Sequence, residues 1–390
     1  MYIVGIDIGK RHHEATIMDG QGNVHGKSLR FANSHIGFNK LLDLVKKVAG
    51  SDEAVFGMEA TGHYWLALYT HLRQQGYPVH VINAVQSDAL RGMYIRQAKN
   101  DSRDSFIIAE VIRFGRFCET SVSSPDLHAL RELCRHRFWI VDSISDLKRK
   151  VIALLDQVFP EYEKLFTNTF GKTSLQLLSE YTTPEELLAV DTDKLAQTIY
   201  TSSHGRHGLQ KAQEIKDAAR NSFGILLASD SIALLIRQYI EQIRFVEAQV
   251  GAIDTEIARL LSDFDNQLTT ITGIGPTLAA AILSEIGDIS RFDCPGKLAA
   301  FAGIDPCVKQ SGDFNGTRVH MSKRGSPYLR RAIWLASTVA AFKDPAISTY
   351  YQRKRAEGKS HLTALGHVSR KMVNIIFAVL RDNTPYSPAI

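Results

Sequence analysis

The first 120 residues alternate short apolar runs with stretches in which apolar residues recur every three or four positions. The apolar runs, which predict buried strands, lie at residues 2–8, 13–18, 26–31, 54–59 and 78–83. Residues 38–48 and 64–75 have the period of amphipathic helices. The resulting order of three strands, a helix, a strand, a helix and a strand predicts an α/β layer domain over residues 1–120.

The middle of the chain, residues 121–265, has a helical pattern. Residues 126–165 predict a helix with a basic stretch, and residues 166–225 are polar and weakly patterned, which indicates short helices. Further on, apolar residues step alternately by four and three positions, at Ile232, Ile236, Tyr239, Ile243, Val246, Val250, Ile253, Ile257 and Leu260. This heptad seam predicts a long helix that pairs with another helix. The partner helix either belongs to a second chain, as in a coiled-coil arm for dimers, or lies within the same chain.

Residues 266–390 are predicted to form a second compact and mainly helical domain. It opens with Gly273-Ile274-Gly275-Pro276, followed by an apolar helix over residues 277–286. A glycine-rich turn between two helices is typical of the helix-hairpin-helix motif, in which backbone N–H groups at a helix start bind a DNA phosphate. Gly273 and Gly275 are therefore candidate phosphate contacts. The alternative is an ordinary helix-to-helix turn that uses the conformational freedom of glycine.

Composition adds a charge asymmetry to this pattern. The 390 residues are 44% hydrophobic and 22% charged, with a net charge of +5, which is ordinary for globular proteins. Residues 301–390 carry 14 Lys and Arg against five Asp and Glu, so the positive charge concentrates there. This balance suits either a phosphate-binding surface or a solvated basic face.

Other features predict a soluble intracellular protein. The four cysteines, Cys118, Cys134, Cys294 and Cys307, are isolated from one another and are expected to be free thiols of a reducing compartment. The chain shows neither a signal peptide nor an apolar run of the length that spans a bilayer. We therefore expect a cytoplasmic protein that does not bind membranes.

Four acidic residues are the strongest chemical candidates. Asp7 and Glu59 each close a predicted strand, and Asp101 and Asp104 stand three apart at the start of a predicted helix. Residues three apart on a helix share a face, so all four acids are able to meet at the carboxyl edge of one sheet. Closely spaced carboxylates need cations to remain ionised, and their hard oxygen atoms suit Mg²⁺ or Mn²⁺. The alternative is that each acid is a helix cap or a surface charge.

A second interpretation of the first strand is an actin-like ATP site. Gly5-Ile6-Asp7-Ile8-Gly9 also resembles the opening strand of sugar kinases and chaperone ATPases, where the aspartate and glycines surround ATP phosphates. Such enzymes carry further glycine motifs for phosphate and adenosine after later strands. The sequence shows none in the expected strand–turn form, which disfavours this class.

Several longer motifs together resemble one family, the DEDD-type transposases of the IS one-ten family. The N-terminal motifs are Gly5-Ile6-Asp7, residues 58–64 around Glu59, Val81-Ile82-Asn83-Ala84 and residues 99–104 with Asp101 and Asp104. The C-terminal motifs are Gly273-Ile274-Gly275-Pro276, residues 298–306, Gln310-Ser311-Gly312 and residues 321–331. They occur in the family's order at both ends of the chain, whereas residues 166–225 are unmatched.

The resemblance implies a fold, an activity and partners. It implies an RNase H-like (RuvC-like) N-terminal domain, a coiled-coil arm and a C-terminal transposase domain with a serine nucleophile, Ser311. It also implies that Asp7, Glu59, Asp101 and Asp104 bind the metal. A structured noncoding RNA of the element, the bridge RNA, would guide recombination by pairing with donor and target DNA.

Read without the family, Ser311 is an ordinary residue. A serine before glycine in a polar loop is more often a turn residue, and serine is a weak nucleophile without a base or metal. Nearby basic residues are candidates for phosphates of DNA or RNA: Lys323, Arg324, Arg330 and Arg331. Trp65, Trp139 and Trp334 occupy helical positions and are expected in the core rather than as base-stacking platforms.

The sequence therefore predicts a homo-oligomeric (dimeric or tetrameric), Mg²⁺-dependent, RNA-guided serine DNA recombinase of a bacterial or archaeal insertion sequence. Two alternatives remain open at this point. One is a structure-selective nuclease of the junction-resolvase type, which uses only the metal site. The other is a nucleic-acid-binding protein without catalysis, in which the acids are structural.

Overall fold

The computed structural model describes residues 1–50, 53–93, 100–117, 119, 124–307, 310–311, 314–315 and 320–388. The chain divides into two compact units, Met1–Val122 and Ser123–Ile390. The first unit contains a mixed sheet with helices on both faces, and the second is mainly helical.

The first unit is built on a five-stranded sheet of order β3-β2-β1-β4-β5. In chain order its elements are β1 (Tyr2–Asp7), β2 (His12–Asp19), β3 (Leu29–Ala32), α1 (His35–Ala49), β4 (Ala54–Glu59), α2 (Trp65–Gln74), β5 (Val79–Ile82), α3 (Ala84–Arg91) and α4 (Asp101–Phe114). The first three strands are antiparallel, whereas β1, β4 and β5 are parallel. This mixed sheet fits the RNase H-like domain expected from the sequence.

Alternation along the strands divides the apolar residues between the two faces of the sheet. Val4 and Ile6 of β1 join a core with α1 and α2 that includes Phe38. Ile3 of the same strand points to the opposite face, where it packs with Ile108 of α4. The sheet therefore has α1 and α2 on one side and α4 on the other.

Two glycines allow α4 to lie directly against the sheet. A Cβ atom at Gly5 of β1 would be 2.2 Å from the carbonyl oxygen of Ser105, and one at Gly57 of β4 would be 2.5 Å from Cγ1 of Ile112. Distances this short are not sustained between non-bonded atoms, so any larger side chain would displace the helix. The parallel register sets Gly5 beside Gly57, which extends this close contact across both strands.

The second unit is made of helices around a central pair. In chain order its elements are α5 (Pro125–Val158), α6 (Lys172–Glu180), α7 (Pro184–Ala189), α8 (Thr192–Ser202), α9 (Leu209–Arg220), α10 (Ser229–Leu261), α11 (Pro276–Ile286), α12 (Pro295–Ala302), β6 (Gln310–Ser311), β7 (Phe314–Asn315), α13 (Pro327–Lys343), α14 (Pro345–Ala356) and α15 (His361–Asp382). Short helices between α5 and α10 agree with the weak pattern of that segment. The strands β6 and β7 form an antiparallel pair.

The heptad seam of α10 packs within the chain. The end of α10 shares a core with the start of α5, for example Ile257 with Leu130, and the start of α10 shares another with the end of α5, for example Ile236 with Leu155. The two long helices are therefore antiparallel partners, and Arg137 and Asp254 add an ion pair between them. Of the two partners expected for this helix, the one in the same chain is observed.

Of the tryptophans expected in the core, one is exposed. Trp65, the first residue of α2, is buried, and Trp334 packs against the core of the second unit. Trp139, in contrast, is 64% exposed on α5, where it stacks on His136 with ring centroids 5.6 Å apart. The prediction was wrong for Trp139 because a helix that packs on only part of its circumference leaves other positions in solvent.

The remaining expectations concern thiols and membrane spans. Cys134, Cys294 and Cys307 are free thiols, and Cys118 lies outside the described residues. Within the described ranges, the chain contains no helix with the length and apolarity required to cross a bilayer.

Candidate active site

Two of the candidate acids lie side by side at one edge of the sheet. Asp7 is the last residue of β1 and Glu59 the last of β4. The parallel register pairs Ile6 with Met58, so the next residue on each strand is the acid. Each acid also stands two residues after the glycine that contacts α4, and residues two apart on a strand share a face. Asp7 and Glu59 therefore project on the side of the sheet where α4 packs.

The other two acids lie in the first turn of α4. Asn100 caps this helix by accepting a hydrogen bond from the backbone N–H of Arg103 at 2.8 Å, which fixes the helix start at Asp101. Asp101 and Asp104 follow within one turn, and Asp104 is buried. Because Gly5 admits α4 onto β1, the start of this helix reaches the edge of the sheet that carries Asp7.

The ionisation of Asp7 is affected by the other three acids. The pKa of Asp7 is raised from 3.8 to about 6, first by burial and then by the negative charges of Asp104, Asp101 and Glu59. Both causes disfavour the ionised form of the acid. A cation at this edge of the sheet would relieve the repulsion.

Three further residues of this site were not predicted from the sequence. Arg91, at the end of α3, donates from Nη2 to Oδ1 of Asp104 at 2.8 Å. Ser87, on the same helix, donates to Oε2 of Glu59 at 2.6 Å, and Thr61 donates to Oε1 of Glu59 at 3.1 Å. The signal that could have found them is position, because α3 follows β5 at the edge where the acids lie.

The donor set suits a divalent cation, although the acids already have protein partners. Four carboxylates supply the hard oxygen ligands that Mg²⁺ and Mn²⁺ prefer. Over the described ranges, no group of three acidic, histidine or cysteine side chains is gathered closely enough to hold a metal ion. Asp104 is paired with Arg91, and Glu59 accepts hydrogen bonds from two hydroxyl groups. A bound cation would therefore act on carboxylates that these donors already stabilise. The residues fit the metal in chemistry and in charge.

The candidate nucleophile lies in the second unit. Ser311 ends β6 and pairs with Phe314 of β7, and its side chain lies outside the described part of the chain. The base of this segment is closed by backbone contacts: the N–H of Cys307 donates to the carbonyl of His320 at 2.8 Å, and Pro306 bridges Met321. The segment that carries Ser311 therefore starts and ends at one place on the second unit.

The four candidate basic residues have different surroundings. Arg331 forms two hydrogen bonds of 2.6 Å with Asp142 of α5 and covers the ring of Phe138. Arg330 donates to the carbonyl of Ala302 at 3.2 Å. Lys323 and Arg324 are exposed, and Lys323 has a left-handed backbone with φ of 53°. The exposed pair is the part of this set that solvent and ligands reach most readily.

The two candidate glycines also differ. Gly273 has φ of 92°, and a Cβ atom there would be 2.5 Å from the carbonyl oxygen of Ala336, so close packing on α13 explains it. Gly275 caps α11 and has no atom within 4 Å of a Cβ position. The element before this turn is a single 3-10 turn, Leu268–Thr270, rather than the first helix of a helix-hairpin-helix.

Two transposase family models match this chain, one in its N-terminal part and one in its C-terminal part. Residues 4–160 match the transposase family model of the DEDD IS110 type, and residues 265–352 match the model of the transposase IS116/IS110/IS902 family. The first match contains all four acids, and the second contains Ser311 and the basic residues.

Relatives from mobile elements match over nearly the whole chain. The chain is 26% identical to the insertion element IS116 uncharacterized 44.8 kDa protein of Streptomyces clavuligerus, over 99% of this chain and 96% of that protein. It is 25% identical to the insertion element IS900 42 kDa protein of Mycobacterium paratuberculosis, over 99% and 97%. It is 24% identical to the pilin gene-inverting protein of Moraxella bovis, over 99% and 98%.

Proposed function

Because the chain belongs to the IS110 family of insertion-sequence transposases, we propose that it is an RNA-guided serine DNA recombinase that requires a divalent metal. In this proposal residues 1–120 are the acidic catalytic domain, residues 121–265 a helical linker and arm, and residues 266–390 the domain of the nucleophile. The substrates are the donor and target DNA of the element. The pilin gene-inverting relative, by its name, rearranges a gene, which supports a recombination reaction.

The proposed reaction conserves phosphodiester bonds. The hydroxyl oxygen of Ser311 attacks phosphorus, a bond from phosphorus to serine forms, and the bond to the leaving DNA oxygen breaks. The proton of the serine passes to that leaving oxygen. Attack by the hydroxyl of the other DNA strand then reverses the step and joins the strands. No external energy source is required, since each broken ester bond is replaced by another.

The acids supply the metal site for this chemistry. Asp7, Glu59, Asp101 and Asp104 would hold Mg²⁺ or Mn²⁺, which when bound stabilises charge on the attacking and leaving oxygens of phosphoryl transfer. What supports the proposal is the placement of the four acids at one edge of the sheet, two at strand ends and two in the first turn of α4, where the other three raise the pKa of Asp7. Arg91 and Ser87 hold Asp104 and Glu59 in position at the edge of the sheet.

The decisive experiment looks for DNA attached to the protein. Labelled donor and target DNA are incubated with the protein, the noncoding RNA of the element and Mg²⁺. The mixture is then denatured and the protein is separated from free DNA, so that label on the protein reports a phosphoserine bond. Ser311→Ala should lose both the label and strand exchange while it still binds DNA, because one hydroxyl adds little to binding. Asp7→Asn should also lose the label, whereas Asp43→Asn, an exposed carboxylate of α1, should retain it.

A hydrolytic nuclease is the second candidate function. It is favoured by one observation: all four acids belong to the first unit, so metal-assisted attack by water would need none of the residues around Ser311. The two candidates differ in one result. If Ser311→Ala still cuts DNA in Mg²⁺ with wild-type yield, water is the nucleophile and the recombinase proposal fails.

We also propose that a bridge RNA guides the reaction and that the protein acts as a dimer or tetramer. Both follow from the family rather than from the site. Recombination reconstituted from pure protein should depend on the noncoding RNA of the element, and RNase treatment should abolish it. Activity that persists without any RNA would remove the guide from the mechanism. The mass of the complex in solution tests the oligomer.

A further inference from the structure

A cavity lies at the base of the segment that carries Ser311, where the residues at its two ends meet. It has a volume of about 370 Å³, within the range of sites that take small organic groups. One wall comes from the two chain segments that flank Ser311, with Pro306, His320 and Met321, and the other from the first turns of α15. The backbone bridge between Pro306 and Met321 fixes the first wall at the base of that segment.

The cavity combines an apolar wall with a positive edge. Pro306, Met321 and Leu362 supply apolar surface, and Leu362 is 65% exposed. Arg370 and the imidazoles of His320 and His367 supply the polar edge. The pKa of His367 is lowered, first by burial and then by the positive charges of Lys354 and Lys359, while the negative charge of Glu357 acts in the opposite direction.

Gly366 keeps this cavity open. It lies inside α15, between the cavity residues Thr363 and His367, and a Cβ atom there would be 3.2 Å from the terminal methyl carbon of Met321. Glycine lowers helix stability by about 1 kcal/mol relative to alanine, so a glycine in a helix interior is expected to have a packing or functional role. Making room beside Met321 is such a role.

These features match the parts of one nucleotide. Arginine and histidine bind phosphate oxygens, and an apolar wall with imidazole faces takes the flat surface of a base. We propose that this cavity binds one nucleotide of the DNA strand next to the phosphate that Ser311 attacks. Arg370 holds the neighbouring phosphate, and Met321 with Leu362 contacts the base. The inference rests on the proposed function, because Ser311 defines which phosphate is meant.

The test maps where a DNA strand contacts the full-length protein. A single-stranded oligodeoxynucleotide of about ten nucleotides, carrying the photoreactive base 5-iodouracil, is irradiated with the protein, and the cross-linked peptide is identified by mass spectrometry. We use the Ser311→Ala protein, so that the result does not depend on attack by serine. The expected cross-link lies in the peptides that contain Met321 or Leu362.

Two variants and a matched control decide the assignment. Arg370→Ala should lower the cross-link about tenfold and reduce the salt dependence of binding by about one unit. Gly366→Leu should lower it similarly at unchanged net charge, because the leucine side chain fills the space beside Met321. Arg381→Ala removes the same charge from the far end of α15, where Arg381 pairs with Asp382, and should leave the cross-link unchanged.

Three outcomes would overturn the inference: no cross-link at these peptides, a cross-link that both variants retain, or one that forms with RNA and not with DNA. Failure of the proposed function looks different. In that case the cross-link persists, while the wild-type protein forms no phosphoserine bond with DNA. A missing cross-link beside an intact phosphoserine bond removes only the cavity from the mechanism.

Discussion

Asp7 couples the candidate site to pH through its raised pKa. Between its ordinary value of 3.8 and about 6, the folded protein holds a proton that the unfolded chain has released. The raised pKa therefore stabilises the fold fully below pH 4, and this contribution disappears as the pH rises through about 6. At neutral pH the ionised Asp7 is a cost to folding, and it is then a better ligand for a cation.

The corresponding prediction concerns stability without metal. In EDTA, Asp7→Asn should be more stable than the wild type at pH 7, by roughly 1 kcal/mol after allowance for solvent screening. The difference should shrink toward pH 4, because the wild-type carboxyl is then neutral as well. Thermal melting at pH 4, 5.5 and 7 measures this, and Asp43→Asn is the control. A difference that does not change with pH would show that Asp7 ionises normally.

Arg91 is the protein's own countercharge for the acids. Arg91→Gln leaves the buried Asp104 without its cation, so in EDTA the protein should lose about 1–3 kcal/mol of stability. Added Mg²⁺ should restore much of the loss, since a divalent ion neutralises the same carboxylates. Melting curves with and without Mg²⁺ measure the rescue.

A second ion pair on α4 provides the comparison for Arg91. Arg113 forms two hydrogen bonds of 2.9 Å with the buried Glu110, away from the four acids. Arg113→Gln should also destabilise the protein, but Mg²⁺ should not restore it. Equal rescue of both variants would mean that Mg²⁺ acts on the whole protein rather than at the site.

Among the elements, the α5–α10 pair determines how the heptad seam is tested. Ile243 is fully buried where α10 packs on α5. Ile243→Lys should therefore lower the free energy of unfolding by several kcal/mol, on the order of 3–5. It should not convert an oligomer into folded monomers. Phe245→Lys, two residues away and 66% exposed, should change the stability little. Melting temperature and solution mass are measured together. A folded Ile243→Lys monomer of unchanged stability would instead place the seam between chains.

Elements with a strong period were predictable from the sequence, and those set by tertiary contacts were not. Short apolar runs identified β1, β2, β4 and β5 closely, because most residues of these strands are buried. The third strand was expected at residues 26–31 and lies at Leu29–Ala32, since a short edge strand carries little pattern. The helix α3 was missed because it is only eight residues long, of which four are polar.

The same distinction applies to the site. The position of an acid at a strand end is visible in the sequence, so Asp7 and Glu59 could be proposed as neighbours. The partners Arg91 and Ser87 lie on α3, and because that helix was not predicted, its position after β5 could not be used to find them. The sequence analysis also did not identify Gly5 and Gly57 as the residues that let α4 lie against the sheet. Each stands two residues before an acid on the same strand, and this spacing is a signal that could have been used.

For the whole molecule, the basic C-terminal part should bind nucleic acid through its exposed cations. Lys323→Ala and Arg324→Ala should each lower the salt dependence of DNA binding by about one unit. Arg331→Ala should leave that slope unchanged and lower the melting temperature, because Arg331 is held by Asp142. Binding titrations at several salt concentrations measure the slopes. A large change for Arg331 would mean that DNA displaces Asp142.

Both apolar cores of the second unit contain residues of α5 and α10, and this arrangement determines how the unit unfolds. Each of these helices runs through both apolar clusters, so neither core can melt without unravelling a helix that the other needs. We therefore expect residues 123–390 to unfold in one cooperative transition, despite their two cores. In hydrogen-exchange measurements, the most protected amides around Leu130, in one core, should then exchange as slowly as those around Leu155, in the other core. The long helices act as a thermodynamic link that makes one folding unit of two cores.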